Sequence, residues 1–340
     1  MADHLSGYQA RDWDVVDYQM YVDPTSGLSF RGPRPEGLTP GQYVVCLGAA
    51  QTFGCFVDEP YPVLLERDLG MPVVNLGYGG AGPRFYVRHP ELLVLINGAA
   101  AVVVQVMSAR SEDNGRFASG GLEYLTERAT GERVSAADGY ARLLAEHPGR
   151  VGSLPRPLRK AVRVVKGPPA VREVLAQTRR SWVESYRELM EAITVPTVML
   201  WLSKRSPGLH RSSKAVWWWQ RYDDVNAMFG DYPQLVNRAM VRQIRPLADH
   251  YVECTTSAGS PQPLVSRFTG EPITVDFGRD RADLAEVTGV NAYYPSPQMQ
   301  ADAAAALVGP VRLAAGLAQG PRGHQGHQGH QGRESAGSKR

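Results

Sequence analysis

The segment Tyr43-Val-Val-Cys-Leu-Gly-Ala-Ala-Gln-Thr-Phe-Gly54 constrains the fold of this chain more than any other. An apolar run enters one glycine and a second glycine follows shortly after. The pattern reads as a buried strand turning tightly into a helix. In α/β proteins backbone N–H groups converge at that junction, and ligands bind there.

Similar units recur downstream. Residues 72–76 read as a second strand, ending in Gly77-Tyr-Gly-Gly-Ala-Gly82. Residues 100–107, Ala-Ala-Val-Val-Val-Gln-Val-Met, form an unbroken apolar run of the kind found in strands buried on both faces. Further strands are expected at 197–202 and 250–254. Helices are expected at 60–69, stopped by Gly70, at 83–96 with a break or kink at Pro90, and at 174–193, 233–248 and 297–317. Strands alternating with helices predict a parallel sheet covered on both faces. Insertions at 108–173 and 203–231 leave from strand carboxyl ends and are expected to form a cap over the site. The organisation predicted is an N-terminal arm over 1–42, an α/β domain over 43–317 and a tail over 318–340. The tail carries Gly-His-Gln triplets from Gly323 to Gly332 and no apolar side chain within them, a composition that cannot build a core. Its histidines either bind a metal weakly or are simply solvated.

A net charge of +3 gives no reason to expect nucleic acid. The three cysteines, Cys46, Cys55 and Cys254, have neither metal-ligand nor disulfide-framework spacing. No apolar run approaches the roughly 20 residues of a membrane span, and the first residues lack a signal-peptide pattern. The expectation is therefore a cytoplasmic protein with no cofactor and no metal site.

The opening segment resembles the first block of the SGNH (GDSL) hydrolases, Gly-Asp-Ser-x-Thr-x-Gly, through Gly48, Thr52 and Gly54. The second block, Asn-x-Gly-x-x-Gly, is matched by Asn75-Leu-Gly-Tyr-Gly-Gly80, and the resemblance implies that Gly80 gives a backbone N–H to an oxyanion hole. It also implies a flavodoxin-like, three-layer SGNH-type sandwich with cap insertions. The nucleophile position, however, holds Ala50, with Ala49 before it. The third block falls on Met107-Ser-Ala-Arg110, placing Ala109 where the family has an oxyanion-donating Asn, with Asn114 nearby as a substitute. The last block, Asp-x-x-His-Pro, falls on Asn291-Ala-Tyr-Tyr-Pro295, so that Asn291 and Tyr294 replace the acid and the base. The chain is similar to SGNH-like bacterial proteins in which the first block has no serine.

An alanine cannot attack a carbonyl, and neither tyrosine nor asparagine replaces the triad's proton chemistry. Three functions stay open: an enzyme of remodelled chemistry, such as group transfer on a glycan or natural product; a non-catalytic module that binds a small molecule or glycan; and a cryptic esterase whose nucleophile comes from an insertion. Thr52 is either a catalytic hydroxyl or a helix cap, and Ser108 either a catalytic hydroxyl or a strand-end hydrogen-bonding group. The candidate binding residues are Gly48, Gln51, Tyr78, Arg110, Asn114, Lys204, Arg205, His210 and Tyr294. Arg110, Lys204 and Arg205 at strand ends suit an anionic ligand, against the alternative that Arg110 only pairs with Glu112 or Asp113. The basic stretch 150–180 either contacts an acidic surface or is a solvated face. Trp217, Trp218 and Trp219 either line a lid or pack within the cap.

Overall fold

A computed structural model describes residues 7–147, 168–209, 222, 224–277 and 287–317. Five parallel strands form its central sheet: β1 (Val44–Gly48), β2 (Val73–Gly77), β3 (Ala101–Gln105), β4 (Thr197–Ser203) and β5 (His250–Thr255). Across the sheet they run β2-β1-β3-β4-β5, the flavodoxin-like doubly wound order. The chain reverses its direction of travel between β1 and β3, so the carboxyl ends of those strands border the crevice where such sheets bind ligands. Gly48 and Gly77 are register partners at that end.

The alternation of side chains explains why these strands read as unbroken apolar runs. Val45, Leu47, Val102, Val104, Met199 and Trp201 enter the core on one face. Val44, Cys46, Val103, Val198 and Leu200 enter the core on the other. Five helices matter for the site and its support: α1 (Ala50–Phe53), α2 (Tyr61–Leu69), α3 (Pro83–Val87), α4 (Pro169–Ala192) and α5 (Pro297–Ala314). Helix α4 packs Trp182, Tyr186 and Leu189 on the first face, while α2 and α5 cover the second with Leu65, Ala303 and Leu307. Helix α2 stops at Gly70, whose φ of +67° suits a residue without a side chain.

Two helices are shorter than their sequence pattern predicts. The segment 83–96 divides into Pro83–Val87, a 3₁₀ turn at Pro90–Leu92 and Leu93–Asn97. Pro90 has no N–H to give a preceding turn, and so breaks the helix rather than bending it. The segment 233–248 is helical only over Arg238–Ile244, followed by a 3₁₀ turn at Arg245–Leu247. Asn237 accepts hydrogen bonds from the N–H groups of Ala239 and Met240, which fixes the start there.

The insertion after β3 contains a small antiparallel sheet, Phe117–Ser119, Tyr124–Glu127 and Arg133–Ser135, then the helix Ala136–Glu146. Gly121, at φ +85°, lies so close to the backbone of Arg84 and Phe85 that a Cβ would stand 2.2 Å from the Phe85 nitrogen. This contact ties the insertion to α3, beside the Gly77–Gly82 loop. The N-terminal arm is anchored by Arg31, which donates to the carbonyls of Gly54 (2.8 Å) and Asp58 (2.6 Å). Among the described residues no helix is long and apolar enough to cross a membrane.

Candidate functional site

A small cleft lies at the carboxyl ends of β1 and β3. Its walls come from six separate stretches of chain: Tyr8; Ala49, Ala50 and Gln51; Gly80 and Ala81; Ser108 and Arg110; Tyr232 and Gln234; and Tyr293 and Tyr294. About 20 Å³ is open to the centre of a water molecule, room for one or two waters and not for a whole sugar ring.

The turn under the cleft is held by a buried amide. Gln105, at the end of β3, accepts from the Ala49 N–H (3.1 Å) and the Thr52 hydroxyl (2.7 Å), and donates to the Tyr232 phenol (3.2 Å). Thr52 also lies 3.0 Å from the Tyr61 hydroxyl. Thr52 is wholly buried and does not line the cleft, so it braces the turn rather than facing a ligand. Gly48 lies below the cleft in the same bracing. A Cβ there would stand 2.0 Å from the Thr52 Oγ1 and 2.4 Å from the Gln105 Oε1, so close approach, not positive φ, demands the glycine. The Tyr86 hydroxyl accepts from the Gly48 N–H at 3.0 Å. Gly80, by contrast, is at φ +76° on the cleft wall. Among the described residues no acceptor takes its N–H.

Ala50 places a methyl group where the SGNH resemblance puts the nucleophile. The other triad positions carry out structural tasks. Asn291 accepts from the N–H groups of Tyr293 (3.2 Å) and Tyr294 (2.9 Å), and donates to the Gln262 amide oxygen (3.0 Å). It therefore shapes the turn that presents Tyr293 and Tyr294. Tyr294 sits at the cleft, packed among Tyr8, Phe56 and Tyr293. Ser108 lines the cleft, but among the described residues its hydroxyl meets only the Gln234 carbonyl (3.4 Å) and the Arg110 N–H (3.3 Å), neither of which is a base. No histidine, cysteine or carboxylate lines the cleft among the described residues. Burial pushes the Tyr8 and Tyr232 phenols well above their ordinary range and keeps them protonated. Burial also drives the Cys46 and Cys55 thiols up, and the Cys254 thiol to about 11, which leaves these cysteines un-ionised at neutral pH.

The strand-end cations are engaged by protein groups. Arg110 stands at the cleft and pairs with Glu123 at 3.2 Å, not with Glu112 or Asp113. Lys204 donates to Ser260 Oγ (2.5 Å) and the Ala292 carbonyl (2.7 Å). Arg205 is buried under Trp201 and donates to the carbonyls of Pro233 (2.6 Å), Val236 (2.9 Å), Asp231 (3.0 Å) and Leu209 (3.2 Å). Neither Lys204 nor Arg205 lines the cleft. Of the three cations behind the anionic-ligand expectation, Arg110 alone stands at the cleft among the described residues, and there it faces Glu123. Asn114 is likewise placed elsewhere, donating to the Tyr140 hydroxyl and to Thr178 Oγ1. Tyr78 stacks on Phe85 with ring centroids 4.5 Å apart and does not line the cleft. His210, the tryptophans at 217–219, the tail at 318–340 and the basic residues up to 167 lie outside the described residues. Within the described part of the basic stretch, Arg180 pairs with Glu173 and Arg179 donates to the Leu235 carbonyl.

Two cleft residues stand out by what they lack. Gln51 and Gln234 are 2% and 4% exposed. Each keeps a buried amide oxygen with no hydrogen-bond partner among the described residues. A buried acceptor left so costs about 1–3 kcal/mol, and two at one small cleft mark it as a site built for donor groups. Gln51 follows directly from the strand-one motif. Tyr8, Tyr232, Gln234 and Tyr293 were not anticipated. Only Tyr293 had a sequence signal, its place beside Tyr294.

The molecule is thus an α/β doubly wound domain with a cleft at the carboxyl edge of its sheet, where this fold class carries ligand sites. The chain belongs to the family described as Domain of unknown function (DUF6473), whose profile matches residues 7–118 and 165–276. No curated protein matches the sequence. Among solved structures it is similar to a carbohydrate esterase family 2 enzyme plus carbohydrate binding domain from Corynascus thermopiles (Myceliophthora fergusii), at 13% identity and TM-score 0.35, over 85% of this chain and 71% of that one. It is also similar to a carbohydrate acetylesterase family member from Sinorhizobium meliloti, at 12% identity and TM-score 0.34, over 81% of this chain and all of that one.

Proposed function

We propose that this chain is a non-catalytic binding module on an SGNH-type scaffold, taking a small neutral molecule or the end of a glycan in the cleft between Gly80 and Gln234. The observation that carries this reading is Ala50: a methyl group at the cleft, with no base among the described lining residues to activate any nearby hydroxyl. Removing the base and the nucleophile together leaves only binding and backbone donors, a small residue of a triad's rate enhancement. The one hydroxyl offered by the strand-three block, Ser108, has no proton acceptor stronger than a carbonyl among the described residues.

A neutral ligand is favoured over an anion because Arg110 already faces Glu123 at 3.2 Å. A ligand carboxylate would have to displace that partner. The test is the fate of the ligand. Incubated with small sugars and acylated sugars, the protein is expected to bind at least one of them saturably and return it chemically unchanged, as read by mass spectrometry. Catalytic conversion of a bound sugar to a deacylated or transferred product would sink the binding-module reading.

A further inference from the structure

We propose that the cleft selects an acetamido group, as carried by an N-acetylated sugar, and that Gln51 and Gln234 are its specificity-determining residues. The proposal rests on the binding reading above and adds the chemical class of the ligand. Gln51 and Gln234 reach the cleft from different elements, one on α1 and the other on the segment before Asn237. Both amide oxygens are buried acceptors without a partner among the described residues. The Gln234 amide nitrogen is already used, donating to the Tyr293 hydroxyl at 2.7 Å. Two acceptors call for ligand donors.

An ammonium group would need a carboxylate at the wall, and none lines it among the described residues. An acetamido group offers a complement to the two amide oxygens, to the Gly80 N–H and to the alanine side chains. Its N–H and a neighbouring sugar hydroxyl supply the two donors. Its carbonyl oxygen accepts from the Gly80 N–H, which no described residue takes. Its methyl group lies against Ala49, Ala50 and Ala81, the apolar part of the lining. The small volume leaves the sugar ring at the mouth.

The test is calorimetric titration of the full chain with N-acetylglucosamine, glucose and glucosamine. N-acetylglucosamine is expected to bind at least about tenfold tighter than glucose or glucosamine. Gln234→Leu and Gln51→Leu are each expected to weaken N-acetylglucosamine by about tenfold, bringing it level with glucose, at an unchanged melting temperature. If one variant does not fold, the other and the wild-type sugar series carry the test. Equal binding of all three sugars overturns the acetamido proposal and leaves the binding module standing. No saturable binding of N-acetylglucosamine at millimolar concentration also overturns the proposal. Release of acetate from bound N-acetylglucosamine overturns the binding-module reading instead.

Discussion

Replacing Arg205 with alanine is expected to destabilise the protein by about 4 kcal/mol, lowering the melting temperature by roughly 10 °C. The arginine is 2% exposed, and its guanidinium donates to carbonyls of Asp231, Pro233, Val236 and Leu209 while packing 5.1 Å from the Trp201 ring. Burial lowers its pKa to about 10, so it remains charged at neutral pH. Alanine takes the arginine donor from the Val236 carbonyl, leaves the Pro233 carbonyl only the 3.3 Å bond from the Val236 N–H, and opens a hole under Trp201. Lysine offers one ammonium and no planar fork, so Arg205→Lys should recover only part of the loss. Thermal unfolding of the two variants checks this. An Arg205→Ala protein that melts with the wild type would show that these carbonyls find other donors. Because the same loop carries Tyr232 and Gln234 into the cleft, the substitution should also weaken ligand binding.

The second large effect concerns Glu112, wholly buried between α3 and α4. Arg84 reaches it at 3.1 Å and the Ser185 hydroxyl at 2.8 Å. Burial nonetheless dominates and pushes the carboxyl up to about 7 from its ordinary 4.5, with Ser185 and Arg84 opposing the shift. The folded protein therefore holds this proton to a higher pH than the unfolded chain does. Between pH 4.5 and about 7 the folded state binds more protons, so this group makes stability fall as pH rises through that window. The total effect is roughly 3 kcal/mol. Glu112→Gln removes the titration, and Arg84 keeps Asp113 as a partner at 3.4 Å. Relative to wild type, the variant should gain about 3 kcal/mol between pH 4 and pH 8. Denaturant unfolding at the two pH values reads this difference directly. Identical pH profiles for the two proteins would mean that Glu112 is ionised at no net penalty.

The sheet was legible because its strands are buried on both faces. Runs such as that at 100–107 can hardly be anything else, and the glycines that follow β1 and β2 mark the turns beside them. The site was legible in part. Gln51, Gly80, Ser108, Arg110 and Tyr294 follow strand ends or a family block, and the fold brings them to one cleft. Gly48 and Thr52 belong to the same turn but brace it from below. Arg205 could not be told from a ligand-binding cation, since its acceptors are backbone carbonyls, which the sequence does not mark. Tyr8 and Gln234 reach the cleft from segments with no local motif. Their roles depend on which loops meet at the sheet edge, a tertiary fact that neither periodicity nor composition records. The small sheet at 117–135 was missed because its strands are only three or four residues long.

On the reading proposed above, this cleft holds a ligand without the means to hydrolyse an ester. The decisive comparison is wild type against Ala50→Ser on an activated acyl ester, with a fluorophosphonate probe in parallel. The substitution restores the hydroxyl but provides neither a histidine to activate it nor a carboxylate to orient that base. Background turnover and no labelled serine are expected in both proteins. Robust hydrolysis by the wild type, or a large gain in turnover with labelling at residue 50 in Ala50→Ser, would contradict that reading.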